Sequence, residues 1–312
     1  MKRFLIGALV ALALAASMPF FFRNEYYFFA GYVVLQLIVL ATAWNILGGY
    51  AGYVNFGSGA FFAVGAYTAV ALYQALELPL PLQILAGAAA SALLGFGVGL
   101  LTLRLRGIFF SIATIAVAIV LETVVLNWHY VGGAKGLPIL RPTETPFFAS
   151  YTVWLFFVMA VIAVIAVGAA RYVETSWIGR GLRAIRDNEG AAECSGVPTL
   201  KLKLGAATLS GALMGAAGAP YAQYLSFIEP TSAFSLNHAV NALAMPIIGG
   251  MGHWIGPVIG AVLLGTVQQV VTVTIASEIN VLVVGVLLVV FVVGAPEGIL
   301  GLVKRFFPSR KP

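Results

Sequence analysis

Long apolar stretches separated by short polar segments follow one another along almost the whole chain. The stretches lie at about 4–22, 27–47, 58–76, 82–103, 108–127, 151–170, 204–227, 237–250, 255–276 and 280–296. Most of them are close to the ~20 residues that a helix needs to cross about 30 Å of hydrocarbon. The pattern therefore predicts an all-α, polytopic transmembrane bundle of about ten helices, folded as a single domain over residues 1–312.

Two of these stretches, 58–76 and 237–250, are short or interrupted by glycine, which predicts tilted, broken or partly re-entrant segments there. The first apolar stretch has two interpretations. Lys2 and Arg3, followed by apolar residues and by small residues near Ala13, are also typical of a secretory signal peptide. Because the apolar run is long enough to span a bilayer, we expect a retained first helix.

The composition excludes a soluble domain. Hydrophobic residues make up 61% of the chain and charged residues 9%, whereas soluble domains carry roughly 25% charged residues. The net charge is +6, but no basic cluster with interleaved aromatic residues occurs, so we do not expect nucleic acid as a partner. The single cysteine, Cys194, excludes an internal disulfide. We predict no cofactor and no metal site.

The distribution of basic residues predicts the orientation of the chain. With the amino terminus in the cytoplasm, fourteen Lys and Arg residues fall in cytoplasmic segments and three, namely Arg23, Lys135 and Arg141, fall outside. Cytoplasmic loops carry an excess of Lys and Arg. We therefore expect both termini and segment 171–203 in the cytoplasm, and the loop 128–150 on the outer side.

Segment 171–203 is the longest hydrophilic interval and holds ten of the 28 charged residues. Within it, Ile178, Leu182 and Ile185 recur at spacings of four and three. This spacing predicts one apolar stripe on a short amphipathic helix. Because so short a helix is not stable alone in water, we expect it to need a partner surface.

Two kinds of surface suit this helix. A protein cleft is favoured by Gly179 and Gly181, because glycine permits close approach of the backbone. A membrane surface with anionic headgroups is the alternative. In either case, Arg183 and Asp187 are spaced to form a stabilising pair at i, i+4.

Two further segments, 48–59 and 249–257, are rich in glycine. Glycine lets helices pack closely or unwind, and unwound backbone inside a membrane is tolerated where protein or water satisfies its polar groups. We therefore expect these segments to line a pathway or to serve close helix packing. The candidate pathway residues are Asn55, Gly57, Ser58, Gly59, Phe61, Gly65, Tyr67, Gly249, Gly250 and Gly252.

The sequence lacks a phosphate loop for ATP hydrolysis. No Gly-x-x-x-x-Gly-Lys-Ser/Thr motif occurs, so we do not expect this chain to be an enzyme. Leu209-Ser210-Gly211 is similar to part of a nucleotide-binding signature, but it lies in an apolar stretch, where small residues favour helix packing. Ion-coupled carriers usually keep ionisable residues within the bilayer, and here Glu122 is the one clear candidate.

Four segments, in this order, carry a resemblance to a known family. They are Gly57-Ser58-Gly59-Ala60-Phe61-Phe62-Ala63-Val64-Gly65-Ala66-Tyr67, Gly179-Arg180-Gly181-Leu182-Arg183-Ala184-Ile185-Arg186-Asp187-Asn188-Glu189 with Ala191, Ala192, Gly196 and Val197, Gly249-Gly250-Met251-Gly252 through Gly256-Pro257, and Ala295-Pro296-Glu297-Gly298-Ile299-Leu300-Gly301. In these segments the chain resembles the membrane-spanning permease subunits of ABC transporters for branched-chain amino acids. The second segment is the most specific of the four. One departure is Asn55-Phe56-Gly57-Ser58-Gly59, where relatives commonly show a Ser-Leu-Gly-His-like run.

The resemblance implies an importer permease of the bacterial inner membrane, paired with a second homologous permease, two cytoplasmic ATPase subunits and a periplasmic substrate-binding protein. It also implies that the polar segment contains a coupling helix seated in an ATPase cleft. The residues implied in this contact are Ile178, Gly179, Arg180, Gly181, Leu182, Arg183, Ile185, Arg186, Asp187 and Glu189. Two alternatives stay open: a permease of the same family for urea, a short amide or another amino acid, and an ion-coupled secondary carrier.

Overall fold

A computed structural model of the chain describes residues 2–21, 24–102, 104–105, 107–139, 141, 150–274, 279–295 and 297–306. Its helices are α1 (Lys2–Phe21), α2 (Glu25–Ala51), α3 (Ser58–Leu76), α4 (Leu80–Thr102), α5 (Ile108–Leu126), α6 (Tyr151–Thr175), α7 (Trp177–Cys194), α8 (Thr199–Gly218), α9 (Tyr221–Leu225), α10 (Pro230–Ala233), α11 (Leu236–Gly249), α12 (Ile255–Thr274), α13 (Ile279–Gly294) and α14 (Gly298–Phe306). Two short strands, β1 (Leu137–Pro138) and β2 (Phe227–Ile228), pair antiparallel. The basic residues Arg23, Arg106, Arg310 and Lys311, and also Pro296, lie outside the described residues.

The prediction of an all-α polytopic bundle is confirmed. Seven segments in the described part of the chain are long and apolar enough to cross a membrane, namely α2, α3, α4, α5, α6, α12 and the stretch Leu282–Leu302. The first helix, α1, contributes a shorter apolar stretch, Ile6–Pro19. The glycine-interrupted stretch at 58–76 forms one continuous helix of 19 residues, α3. The chain is therefore a multi-pass membrane protein.

The prediction of one continuous span over 204–227 is wrong. Helix α8 ends at Gly218, and the chain then turns into the five-residue helix α9. Pro220 has no backbone N–H, so helical hydrogen bonding cannot continue through it. The turn is also held by packing, because any side chain at Gly218 would collide with the carbonyl oxygen of Phe62.

Helices α3 and α11 both begin inside the bundle. A side-chain carbon placed on Gly59, in the first turn of α3, would lie 3.0 Å from the carbonyl oxygen of Ser235, which precedes α11. The other end of α3 lies near the strands, where the Tyr130 hydroxyl donates to the carbonyl oxygen of Ala71 at 3.4 Å. With 14 residues, α11 is roughly 21 Å long and cannot cross about 30 Å of hydrocarbon alone. The first turns of the two helices therefore meet within the bundle.

Close packing surrounds the central helix, α2. Every residue from Gln36 to Ala51 is buried, as expected for a helix that is apolar on all sides. Beside it, α3, α4 and α8 pack through small residues. A side-chain carbon on Gly65 would collide with Gly215, and one on Gly95 would lie 2.7 Å from the carbonyl oxygen of Ala207. Such direct backbone contact is a common basis of helix association in membranes.

The bundle has two distinct ends. Helix α7 lies at one of them, which we call the α7 end, together with the end of α2 and the turn between α11 and α12. The strands lie at the opposite end, which we call the strand end, with Leu137 paired to Ile228. The candidate functional residues lie at or between these two ends.

Candidate functional site

Helix α7 follows α6 through a tight turn. The backbone N–H of Ser176 donates to the carbonyl oxygens of Tyr172 and Val173 at 3.1 and 3.2 Å. Gly179 is packed so closely against this turn that a side-chain carbon there would lie 2.9 Å from Glu174 Cα. The turn therefore requires glycine at position 179, and it folds α7 back against the bundle.

A kink divides α7 into a long first part and a short second part. The backbone of Asn188 is not helical, with φ −161° and ψ 106°. Its side-chain Oδ1 accepts a hydrogen bond from the N–H of Ala191 at 3.0 Å, which satisfies a backbone donor at the start of the second part. The long part thus ends at Asp187.

The two faces of α7 have different surroundings. Leu182 and Ile185 are 0% and 4% exposed and belong to the core of this chain, whereas Ile178 is partly buried against that core. The exposed residues on the other side are Trp177, Arg180 and Asp187. The prediction of an amphipathic helix is confirmed. The chain's own helices already cover Leu182 and Ile185 of the apolar stripe. The expectation that the stripe enters a partner's cleft stays a prediction.

The prediction of an ion pair between Arg183 and Asp187 is wrong, since no such pair exists among the described residues. The Arg183 guanidinium instead donates, through one Nη atom, to the backbone carbonyl oxygen of Glu174 at 3.2 Å. Asp187 stays exposed. Arg183 therefore stabilises the turn between α6 and α7 and does not form an ion pair on the surface of α7.

Glu174 connects three elements at the α7 end. Its Oε2 accepts hydrogen bonds from the backbone N–H of Trp254 at 2.6 Å and from the Tyr50 hydroxyl at 3.2 Å. Its Oε1 lies 3.9 Å from Nε2 of His253. Glu174 thus links the last turn of α6 to α2 and to the turn before α12.

Arg186 fixes α7 to the end of α2. One Nη atom donates to the carbonyl oxygen of Gly49 at 2.7 Å. The chain leaves α2 at Gly52 with φ +77°, and a side-chain carbon there would lie 3.1 Å from Cγ of Arg186. Position 52 therefore needs glycine both for its conformation and for the space beside Arg186.

A buried polar cluster joins α7 to α8 and to the loop after α2. Nζ of Lys203 lies 2.6 Å from Oε1 of Glu189. The Tyr53 hydroxyl donates to Oε2 of Glu189 at 2.6 Å, and Lys203 donates to that hydroxyl at 3.1 Å. The Lys203 ammonium also lies 4.8 Å from the centre of the Tyr53 ring, within cation–π range.

The loop at 52–57 is unwound backbone, and protein groups satisfy several of its polar atoms. The Trp44 indole N–H donates to the carbonyl oxygen of Asn55 at 2.8 Å, and Oδ1 of Asn55 accepts from the N–H of Gly57 at 2.8 Å. From α5, the Ser111 hydroxyl donates to the carbonyl oxygen of Val54 at 2.8 Å. These bonds meet the requirement for non-helical backbone inside a membrane protein.

The predicted pathway residues fall into two groups. Asn55, Gly57, Ser58 and Gly59 lie together, buried, where α3 begins. Phe61, Gly65 and Tyr67 lie further along α3 and pack against other elements. The Phe61 carbonyl accepts from Ser91 of α4 at 2.7 Å, Gly65 abuts Gly215, and the Tyr67 ring stacks on Phe234 with centres 6.3 Å apart.

The second glycine segment lies at the α7 end. Gly249 packs directly on the backbone of Gly256, and Gly250 adopts φ +114°, a conformation that favours glycine. Gly252 has open space around it and lines a cavity of about 290 Å³. Arg186, His253 and Glu297 also line this cavity. This segment therefore combines close packing with one polar opening beside α7.

Sequence reasoning missed the aromatic residues between α9 and the centre of the bundle. The Tyr224 ring stacks on Tyr32 and Phe29, with centres 4.0 and 4.5 Å apart. His238 of α11 lies 4.7 Å from Phe62 of α3, ring centre to ring centre. The available signal was Pro220, which breaks the apolar run just before these aromatic residues.

A family model described as branched-chain amino acid transport system / permease component matches residues 26–292. The high-affinity branched-chain amino acid transport system permease protein LivM of Salmonella typhimurium is 29% identical over 328 aligned residues, covering 96% of this chain and 75% of LivM. The probable branched-chain amino acid transport permease protein LivH of Methanocaldococcus jannaschii is 25% identical over 233 residues, covering 72% of this chain and 73% of LivH.

A ribose import permease protein, RbsC of Haemophilus influenzae, is 33% identical over 94 residues, which is 28% of each chain. No solved structure gives a significant match. The family match spans α2 to α13 and includes both glycine segments and α7. The chain therefore belongs to the family of branched-chain amino acid transport permease components, as its sequence motifs indicated.

Proposed function

We propose that this chain is the membrane-spanning permease subunit of an ABC importer for branched-chain amino acids. It forms the translocation pathway with a second homologous permease, two cytoplasmic ATPase subunits supply the energy, and a periplasmic binding protein delivers the substrate. The chain lies in the bacterial inner membrane, with both termini and the α7 end in the cytoplasm. The names of the relatives support the substrate class, and the fourteen-to-three distribution of basic residues supports the orientation.

The observation that carries this proposal is the way in which α7 is attached to the rest of the bundle. Its inner face is fixed to the bundle by the burial of Leu182 and Ile185, by the bond from Arg186 to α2 and by the ion pair of Glu189 with α8. Its outer face is exposed. A helix mounted in this way transmits a displacement from a partner to the helices beneath it, because packed cores shift as units rather than deform continuously.

We infer that the ATPase contacts the exposed face of α7. Trp177, Arg180 and Asp187 lie three and seven residues apart, and this spacing places them on one side of the helix. Tryptophan and arginine are the residues that most often dominate the energy of a protein interface. Other residues that the family resemblance implies in the ATPase contact, including Gly179 and Leu182, are buried. They hold α7 in position against the bundle.

A lipid surface suits this face less well than a protein does. A helix that lies in the membrane interface buries its apolar side among headgroups and acyl chains. In α7 the apolar residues Leu182 and Ile185 are already buried in the core. The exposed side carries the carboxylate of Asp187 beside Arg180, and this carboxylate is repelled by anionic headgroups.

The same contacts suggest how movement of α7 reaches the pathway. Tyr53 is bonded to Glu189 of α7, and only four residues separate Tyr53 from Ser58, the start of α3. A shift of α7 therefore pulls on the loop at 52–57 and on the junction where α3 meets α11. We propose that the pathway runs along this junction and binds substrate weakly, because few buried charges are available there to hold an amino acid.

Co-purification with the ATPase subunits tests the docking face. We expect the Trp177→Ala, Arg180→Glu double variant to insert and fold but to lose the ATPase, since removing one interface anchor costs about 2 kcal/mol, or roughly thirtyfold in affinity. Arg104→Glu is the matched control, because Arg104 is exposed in the turn between α4 and α5. Full ATPase binding and normal uptake by the double variant would rule out this face.

Gly181 is less suitable for this test. A side-chain carbon there would lie 2.5 Å from a methyl carbon of Leu202 on α8. A bulky residue at position 181 therefore displaces α7 from its own bundle. A loss of ATPase binding would then not show whether the ATPase contact or the packing of α7 on α8 had been disturbed.

The alternative within the family is a permease for another small polar solute, such as urea, a short amide or a different amino acid. The binding protein decides between these substrates, because it selects what reaches the membrane. Calorimetric titration of that protein with leucine, isoleucine and valine is the direct test. Binding of urea or an amide without binding of any branched-chain amino acid would replace the proposed substrate class.

A further inference from the structure

An apolar cleft separates α1 from the rest of the bundle. Its volume is about 450 Å³, and its walls come from α1, α2, α6 and the start of α12. The α1 wall consists of Phe4, Gly7, Ala8, Ala11, Leu12 and Ala15. From Phe4 to Ala15 this wall is about 16 Å long at 1.5 Å per residue. The cleft is therefore a long slot that follows the helices through the membrane.

Arg171 lies at the mouth of the cleft, at the α7 end. Its Cζ is 5.0 Å from the ring centre of Phe4 and 5.2 Å from that of Trp254, which is cation–π range. Within the described ranges, no carboxylate pairs with its guanidinium. Glu174, one turn further along α6, accepts hydrogen bonds from Trp254 and Tyr50 instead. The guanidinium therefore keeps donors for a ligand.

The depth of Arg171 in the membrane follows from the length of α6. That helix has 25 residues, or about 37 Å, which exceeds the roughly 30 Å of hydrocarbon. Arg171 lies four residues before the end of α6 at Thr175. It is therefore at the level of the lipid headgroups, whereas the slot extends from there into the hydrocarbon.

We propose that this cleft binds one anionic phospholipid, with the phosphate on Arg171 and an acyl chain in the slot between α1 and α6. Arginine suits a phosphate because its planar guanidinium can donate two parallel hydrogen bonds. The small residues of the α1 wall leave room for a flexible chain. The lipid stabilises α1 on the bundle beside the turn that leads into α7. This proposal does not depend on the transported substrate.

Native mass spectrometry tests the headgroup contact. The full-length protein is reconstituted in vesicles of equal parts phosphatidylcholine and phosphatidylglycerol and is then extracted in mild detergent. We expect retained phosphatidylglycerol, and about fivefold less preference for it in Arg171→Gln, because one cation near a membrane surface is worth about that factor. Arg104→Gln, which removes an exposed charge outside the cleft, is expected to behave as wild type.

Photolabelling tests the acyl-chain slot. Phosphatidylglycerol with a diazirine in its acyl chain is expected to label the wild-type protein on residues 8–15 of α1 and 160–167 of α6. Ala11→Phe fills the slot and removes the label, whereas Ala13→Phe, a change at an α1 residue outside the cleft wall, does not. Unlabelled wild-type helices, or equal lipid retention by wild type and Arg171→Gln, would overturn the proposal. So would a disulfide between two copies of Ala11→Cys in a Cys194→Ala background, because it would place a second copy in the cleft.

Discussion

Lys203 and Glu189 form an ion pair inside the α7 end, with 2.6 Å between Nζ and Oε1 and with side chains that are 4% and 12% exposed. Removing two charges from water is costly, and their attraction offsets the cost when further hydrogen bonds complete the site. Tyr53 supplies these bonds, since its hydroxyl contacts both charged groups. The pair thus holds the kinked part of α7 on α8 and on the loop before α3.

Replacing Lys203 with Met is expected to destabilise the protein by about 3 kcal/mol, because it leaves the Glu189 carboxylate buried without its cation. The measurement is thermal unfolding of the purified protein in detergent. Lys201→Met is the control, because Lys201 lies two residues away on α8 and is exposed. We expect little change in that variant.

The double variant Lys203→Met, Glu189→Leu distinguishes the loss of the ion pair from a general destabilisation by either substitution. Removing both charges also removes the buried unpaired carboxylate, so the double variant is expected to be more stable than Lys203→Met alone. If the effects of the two substitutions simply add, the ion pair has no coupling energy and our interpretation of the cluster is wrong.

The sequence predicted α7 and its apolar stripe, but not the surface that covers the stripe. Leu182 and Ile185 have the same spacing whether they pack on the chain's own helices or on a partner. The sequence also did not indicate the polar cluster of Tyr53, Glu189 and Lys203. Tyr53 and Lys203 are 150 residues apart in sequence, and at the start of α8 nothing local distinguishes the buried Lys203 from the exposed Lys201.

The break after Gly218 escaped prediction for a different reason. The residues that follow it stay apolar because protein rather than water surrounds them, so hydropathy shows one long stretch. Pro220 was the local signal of a helix end. The separation of α3 from α2, in contrast, was visible in the glycine-rich segment, because unwound backbone and tight turns both favour that residue.

Gly65 is expected to tolerate no larger side chain. A Cβ at this position would collide with the backbone of Gly215 on α8, so Gly65→Val should cost about 1–3 kcal/mol through overpacking. Gly97 of α4 is the matched control, since it has open space around it. Gly97→Ala should be neutral or stabilising by up to about 1 kcal/mol. Thermal unfolding and yield from the membrane fraction measure both effects, and equal stability of the two variants would contradict direct α3–α8 contact.

Thiol labelling is expected to place the α7 end in the cytoplasm. Cys194, the single cysteine, is exposed at the end of α7. An impermeant maleimide should label it after the cells are permeabilised, but not in intact cells. In a Cys194→Ala background, Ala134→Cys at the strand end should be labelled in intact cells, because residue 134 is exposed in the loop assigned to the outer side. The reverse pattern would invert the orientation inferred from the basic residues.

Arg141 is expected to hold the broken segment after α8 in place. Its Nε donates to the carbonyl oxygen of Gln223 at 2.9 Å, and one Nη donates to the carbonyl oxygen of Tyr224. These carbonyls belong to α9, a helix of five residues, which cannot satisfy them all through its own hydrogen bonds. The arginine therefore supplies hydrogen bonds that these carbonyls lack because α9 ends at Leu225.

Arg141→Gln should loosen α9, because each lost hydrogen bond from a charged donor is worth about 1.5–3 kcal/mol. Hydrogen exchange followed by mass spectrometry is expected to show roughly tenfold or faster exchange in a peptide that covers α9, since 1.4 kcal/mol corresponds to a factor of ten. Lys135→Gln, which removes an exposed charge from the same loop, should leave this peptide unchanged. Unaltered exchange in Arg141→Gln would mean that the stacking of Tyr224 on Tyr32 holds the segment without help from the arginine.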